Sequence, residues 1–301
     1  QYGRFLILNT NFSFGNHFYG EGGFVEALEA AGKIRDEVHR QFYVAIQHHQ
    51  ERLFEEFVSM IKALRERFPG MTIIVRPHPS ENHEKWCEVL PEHEKVIVKH
   101  EGNVLPWLMA AQVVIHNSCT TGIEAYLLER PVIAYLPVRN EAFEGYLANP
   151  LSESALTRDE LLEMVAFYLE KGVFPQSDSQ KQALAKQHIT GLDGALSSDR
   201  IVRLLDTVAL SWGNSGRTAY QVYHRLKKMG GKISVRRRFG IDTNSQQDLA
   251  EQHKKQKFPG VELDELLVSL AKLQTLSGRF PDLHAVSIAP NLFQITQGSR
   301  S

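Results

Sequence analysis

The run Arg76-Pro77-His78-Pro79-Ser80-Glu81 sets a guanidinium and an imidazole between prolines that restrict the backbone around them. Arginine offers a charged fork to phosphate oxygens, and histidine can give a hydrogen bond or a proton to a departing phosphate, so Arg76 and His78 are read as catalytic. The competing reading is a rigid turn with solvated polar residues. A second constellation is Asn117-Ser118-Cys119-Thr120-Thr121-Gly122-Ile123-Glu124. Where such a turn opens a helix, backbone N–H groups and the helix dipole favour an anion; Asn117, Ser118, Thr120 and Thr121 add polar groups, and Gly122 allows close approach. Serine and threonine are also ordinary helix caps. Glu124 either complements the dipole or accepts hydrogen bonds from ribose hydroxyls. Asn9, Asn11, Ser13, Asn16 and His17, with Gly15 among them for a tight turn, form a third polar group, suited to sugar hydroxyls or to a solvated loop.

These residues need elements to hold them. Short apolar, β-branched runs at residues 5–9, 72–76, 95–99, 112–116 and 131–136 read as buried strands. Between the first two, Val44, Leu53, Phe54, Phe57, Met60, Ile61 and Leu64 recur at helical steps within residues 36–68, and Pro69-Gly70 stops the helix. Further helices are expected at 84–90, 104–111, 121–129 and 157–171, the last opened by a capping box of Thr157 and Glu160. This βαβ alternation predicts an α/β, Rossmann-like, doubly wound parallel sheet, whose ligands bind beyond the carboxyl ends of the strands. All three polar groups fall at such ends, so one phosphate-bearing ligand would touch both Arg76/His78 and the Ser118–Gly122 turn.

A net charge of -1 provides no global field toward nucleic acid, and none is expected as a partner. The two cysteines, Cys87 and Cys119, lack metal or disulfide spacing, which points to a reducing, cytoplasmic setting. No apolar run is long enough to span a membrane, and no signal peptide is evident. Without an Asp-x-Asp run neither a metal nor a cofactor is expected. A start at Gln1 that leads directly into a strand reads as a segment of a longer chain. The alternation fades after Gly172, giving an expected division into a nucleotide-sugar-binding domain at 1–175 and a mainly helical extension at 176–301. Basic residues concentrate from Arg225 to Lys257, including Arg236, Arg237 and Arg238, and read either as a solvated run or as peripheral contact with an inner membrane. His48 and His49 read as exposed, His100 and Glu101 as strand-exit residues able to close the site, and Trp86 and Trp107 as packing residues.

The Arg-Pro-His-Pro run together with Ser118 to Ala125 resembles the phosphate and nucleotide motifs of bacterial capsule-type glycosyltransferases, with one extra residue between Ser118 and the Thr121-Gly122 pair. With the opening Leu8 to His17, the pattern is most similar to surface carbohydrate biosynthesis proteins, related to capsule Kdo transferases. The likeness covers roughly residues 5–140. It implies the donor-binding half of a GT-B fold, the acceptor domain lying outside this chain. It further implies transfer of a sugar from a nucleotide-activated donor, cytidine-linked and acidic such as Kdo, to a growing glycan or lipid-linked acceptor. Asn11, Ser13, Asn16 and His17 then read as a donor-sugar loop. A CDP-alditol phosphotransferase, a nucleotide-sugar epimerase and a non-catalytic nucleotide-binding scaffold remain open.

Overall fold

Phe5–Asn9 forms strand β1 with every position buried, as a strand covered by helices on both faces must be. The computed structural model describes residues 2–20, 22–90, 95–145, 147–172, 178–192, 194–207 and 251–297. Two compact units emerge, Gln1–Asp242 and Thr243–Ser301. In the first, β1 is flanked by β2 (Thr72–Arg76) and β4 (Val113–His116), and the sheet continues through β3 (Val96–Val98) on one side and β5 (Val132–Tyr135) and β6 (Glu153–Ala155) on the other. All neighbours are parallel, in the order β3-β2-β1-β4-β5-β6. This is the order of the doubly wound dinucleotide-binding sheet, and the winding reverses between β1 and β4, where a crevice opens at the carboxyl ends.

Side-chain alternation sends Leu6, Leu8, Ile73, Val75 and Ile115 to one face and Ile7, Ile74 and Val114 to the other. The first face packs against α2 (Glu37–Arg67), α3 (His83–Val89) and α7 (Arg158–Lys171), through Phe54, Phe57, Leu64, Trp86 and Leu161. The second packs against α4 (Leu105–Ala110) and α5 (Thr121–Leu127), through Leu108 and Ala125. Asp36 caps α2 by accepting from the His39 N–H at 2.8 Å, and the helix runs 31 residues before Pro69-Gly70, a length of about 46 Å. Thr157 and Glu160 make the expected capping box on α7.

Up to α7, three elements escape the sequence pattern: α1 (Gly23–Ala30), the short α6 (Ala148–Leu151) and β6, a three-residue edge strand without an apolar run. β3 is an edge strand with half-buried positions rather than a doubly buried one. Beyond α7, unit one continues with α8 (Ser179–His188) and α9 (Ser197–Thr207). The second unit holds a helix, Leu263–Ser277, and an antiparallel hairpin of Leu283–Ala289 with Leu292–Gln297. The basic residues from Arg225 to Arg238 lie outside the described residues. Among the described residues no helix is long and apolar enough to cross a membrane.

The loop after β1 lies flat on α2. Gln50 Oε1 accepts from the N–H groups of Phe14 and Gly15 at 2.8 and 3.2 Å. A Cβ on Gly15 would meet the backbone nitrogen of Glu51 at 2.6 Å, so no larger residue fits without moving the helix or the loop. Gly15→Ala should therefore cost about 1–3 kcal/mol of stability by overpacking, measured as a lower urea midpoint at unchanged slope.

Candidate functional site

The exits of β1 and β2 are joined by one carboxylate. Glu81 is fully buried, and its Oε1 accepts from Thr10 Oγ1 at 2.8 Å, from the Phe12 N–H at 3.1 Å and from the His78 N–H at 2.9 Å. Its Oε2 accepts from Trp86 Nε1 at 2.8 Å. Burial pushes the carboxyl upward while these four donors hold it down. Asn82 continues the junction: its N–H donates to Asn16 O at 2.8 Å, and Asn16 Nδ2 donates to Asn82 O at 3.1 Å. His17 pairs with Glu81 as an antiparallel bridge and accepts from the Tyr19 N–H at Nδ1. Asn16 and His17 are thus buried ties between two loops, which corrects their reading as sugar-contacting groups. Asn11 and Ser13 stay half-buried at the crevice, with Ser13 Oγ donating to Asn11 Oδ1 at 2.8 Å.

The β4 exit is latched to the β1 exit by an amide pair. Asn117 Oδ1 accepts from the Asn11 N–H at 2.7 Å, and Asn117 Nδ2 donates to Asn11 O at 3.2 Å. Ser118 follows with φ of 60°, a left-handed conformation uncommon for a residue with a side chain. It is held there from α6, where Asn149 Nδ2 donates to Ser118 Oγ at 2.9 Å. Thr120 is exposed and Thr121 half-buried, its hydroxyl donating to Cys119 Sγ at 3.1 Å. No side chain caps the start of α5. Glu124 is half-buried, burial raises its carboxyl, and its Oε2 has no hydrogen-bond partner.

Gly122 serves a neighbour within the protein: a Cβ there would lie 2.5 Å from His116 Nε2. The expected close approach is therefore that of the buried His116 ring, not of a ligand. His116 Nε2 donates to Ser152 Oγ at 2.8 Å, since the Ser152 hydroxyl itself donates to Ala148 O. Burial lowers the imidazole from its ordinary value to about 4.

Arg76, Asn9 and His116 stand in register across β2, β1 and β4, on the face covered by α4 and α5. Arg76 is buried; its Nη1 and Nη2 donate to the carbonyls of Glu101 and Gly102 at 2.8 and 2.6 Å, and the guanidinium lies over the Trp107 ring. That geometry makes Arg76 an anchor for the β3–α4 loop, where the sequence read a catalytic fork for phosphate oxygens. Trp107, read as a packing residue, also carries this stack. His78 is half-buried, with Nδ1 3.1 Å from the Ser80 N–H and 3.3 Å from Ser13 Oγ. His100 Nδ1 contacts Pro77 O at 2.8 Å and His83 Nε2 contacts His78 O at 3.2 Å, so two imidazoles, both lowered by burial, brace the turn.

At the switch point lies a cavity of about 280 Å³ whose floor is Asn11, Asn117 and Ser118 and whose walls include Phe14, His49, Gln50, Phe143 and Glu144. His49 was read as exposed; it is half-buried, 5.4 Å from the Phe143 ring, and lowered by burial with Glu144 partly opposing. Glu144 Oε1 accepts from Arg139 Nε at 2.6 Å and from the Asn140 N–H at 3.0 Å. No lysine or arginine is among the described residues that line the cavity. Among the described residues no group of three or more His, Cys, Asp or Glu is placed to hold a metal ion.

No protein-family model and no curated protein matches the sequence. Solved structures similar to the chain include a Methanocaldococcus jannaschii UDP-GlcNAc 2-epimerase in complex with UDP-GlcNAc and UDP, at 16% identity and TM-score 0.38 over 68% of this chain and 46% of that one. They also include the Thermosulfurimonas dismutans KpsC β-Kdo 2,4 transferase, at 20% identity and TM-score 0.30 over 55% and 44%, and the calicheamicin glycosyltransferase CalG4, at 12% and 0.35 over 68% and 43%. The matched part is less than half the length of each of these chains. The fold assignment rests on the strand order and register of the sheet itself.

His116 gives the site a pH limit. Its folded value of about 4 lies below the ordinary 6.5, so its contribution is complete above pH 6.5 and is lost as pH falls toward 4. The loss should approach about 3 kcal/mol. Urea titrations at pH 7 and pH 4.5 should show a larger drop for the natural chain than for His116→Gln.

Proposed function

We propose that residues 1–175 form the donor-binding half of a metal-independent glycosyltransferase of the two-Rossmann-domain type, working in bacterial surface polysaccharide biosynthesis. The observation that supports this best is the convergence of three polar strand exits, β1, β2 and β4, on the switch point of the sheet. Together with the motif resemblance, this favours a nucleotide-activated donor, assigned here as a CMP-linked acidic sugar such as Kdo. The acceptor is a growing glycan or lipid-linked saccharide presented by a second domain, and the basic residues from Arg225 to Lys257 are assigned to peripheral contact with the cytoplasmic face of a membrane.

In this reading the cavity walled by Phe14, Phe143 and Glu144 takes the uncharged nucleoside, because its walls are aromatic and apolar and its one carboxylate is already paired with Arg139, leaving no free cation among the described lining residues for a phosphate. The phosphate falls to His78 and to the Ser118–Gly122 turn, where Thr120 and Thr121 supply hydroxyls. Glu124, half-buried in the first turn of α5, is assigned to the ribose hydroxyls. Arg76 acts at one remove, by holding the β3–α4 loop. Departure of the nucleotide concentrates negative charge on its phosphate, and donors already fixed by the Glu81 and Asn117 bonds stabilise that charge without reorganising.

Calorimetry of the chain against CMP, CDP, UMP and UDP should rank CMP first, and Thr121→Val should weaken it about five- to tenfold. Free CMP with an elongated glycan as products of the full-length protein would complete the assignment. CMP with an alditol phosphate bond, an epimerised nucleotide sugar, or no turnover would each replace it.

A further inference from the structure

The Ser80 backbone N–H points at His78 Nδ1 from 3.1 Å. An amide N–H can only donate, so Nδ1 must present a lone pair. We infer that the His78-to-Glu81 turn fixes the His78 imidazole as the neutral tautomer protonated at Nε2, making it a hydrogen-bond donor to an oxyanion and not a source of protons. This deepens the proposed function and rests on it for the identity of the anion.

The alternative arrangement is present in the same contacts and fails. Ser13 Oγ lies 3.3 Å from Nδ1 while its hydroxyl is directed at Asn11 Oδ1, 2.8 Å away, which would ask Nδ1 to donate. A hydroxyl rotates; a backbone amide does not, and its contact is the shorter. The turn leaves the amide no freedom to turn aside. Glu81 N–H donates to His78 O at 2.9 Å, the His78 N–H donates back to Glu81 Oε1 at 2.9 Å, and prolines fix φ at 77 and 79. A second proton on Nδ1 would set N–H against N–H inside this closed ring of bonds. Ser80 and Glu81 are accordingly positioning residues that act through His78.

The chemistry agrees. When the bond from the anomeric carbon to phosphate oxygen breaks, the electron pair stays on that oxygen, and a nucleoside phosphate is stable as the anion. A fixed N–H stabilises it without transfer of a proton, and the proton of the acceptor hydroxyl goes to a general base elsewhere.

The test has two arms. Long-range ¹H–¹⁵N correlation spectra of the ¹⁵N-histidine-labelled chain, with the His78 ring assigned by its loss in His78→Gln, should show Nε2 protonated and Nδ1 bare at pH 7. A ring protonated at Nδ1, alone or together with Nε2, overturns the inference. In CMP titrations His78→Gln, whose amide nitrogen falls near Nε2, should stay within about threefold of the natural chain, while His78→Asn, which reaches only Nδ1, should lose about tenfold or more. Equal losses in both variants overturn the donor role. An Nε2-protonated ring in a chain that binds no nucleotide would uphold the tautomer and overturn the functional reading instead.

Discussion

A carboxylate with no exposure is a costly object unless every lone pair is used, and Glu81 meets that condition with four donors from four residues. Those donors belong to the β1 exit, the β2 exit and α3. Left to themselves, loops that leave adjacent parallel strands are independent of one another. Here they share one acceptor, so none can shift without exposing or stranding a charge. The positions of Asn11, Ser13 and His78, and through Trp86 the seating of α3 against the sheet, all follow from this one group.

The carboxyl edge of the sheet has two chemically different faces. Toward α2 it is a cavity with aromatic walls and an amide floor. Toward α4 and α5 it is a buried polar row, Arg76, Asn9 and His116, closed by the carbonyls of Glu101 and Gly102, by Gly122 and by Ser152. The polar row sets where the β3–α4 and β4–α5 connections run, and the cavity is what remains between the elements so placed. Support and opening are thus separated by the thickness of the sheet.

Much of the frame was legible because doubly buried strands leave a plain trace: β1, β2, β4 and β5 are short β-branched runs, and α2 and α7 carry apolar steps and caps. β6 left none, since a three-residue edge strand needs no apolar run. At the site, the strand-exit placement of His78, Asn117 and Ser118 could be read from order alone. The fate of Arg76 could not, because its carbonyl partners lie 25 and 26 residues away in sequence and become neighbours only when β3 pairs with β2. Gly122 was misread for a related reason: a glycine that admits a ligand and one that admits a histidine ring look alike in sequence. His49 gave no signal, being one polar residue on a long helix whose register against the 136–145 segment is a tertiary fact. Glu81 was visible as a residue but not as a hub, since a glutamate beside a proline turn is ordinarily solvated.

The amide pair between Asn117 and Asn11 has a further consequence. A side chain here imitates a rung of the parallel ladder, extending the pairing of β1 with β4 one step past the strands. The fork where the two chains part, elsewhere a soft place, is sutured at its base. A molecule entering from above meets a surface whose conformational freedom was surrendered during folding. Its association therefore carries little additional ordering entropy for these loops, and selectivity at this floor depends on shape and hydrogen-bond polarity more than on loop closure.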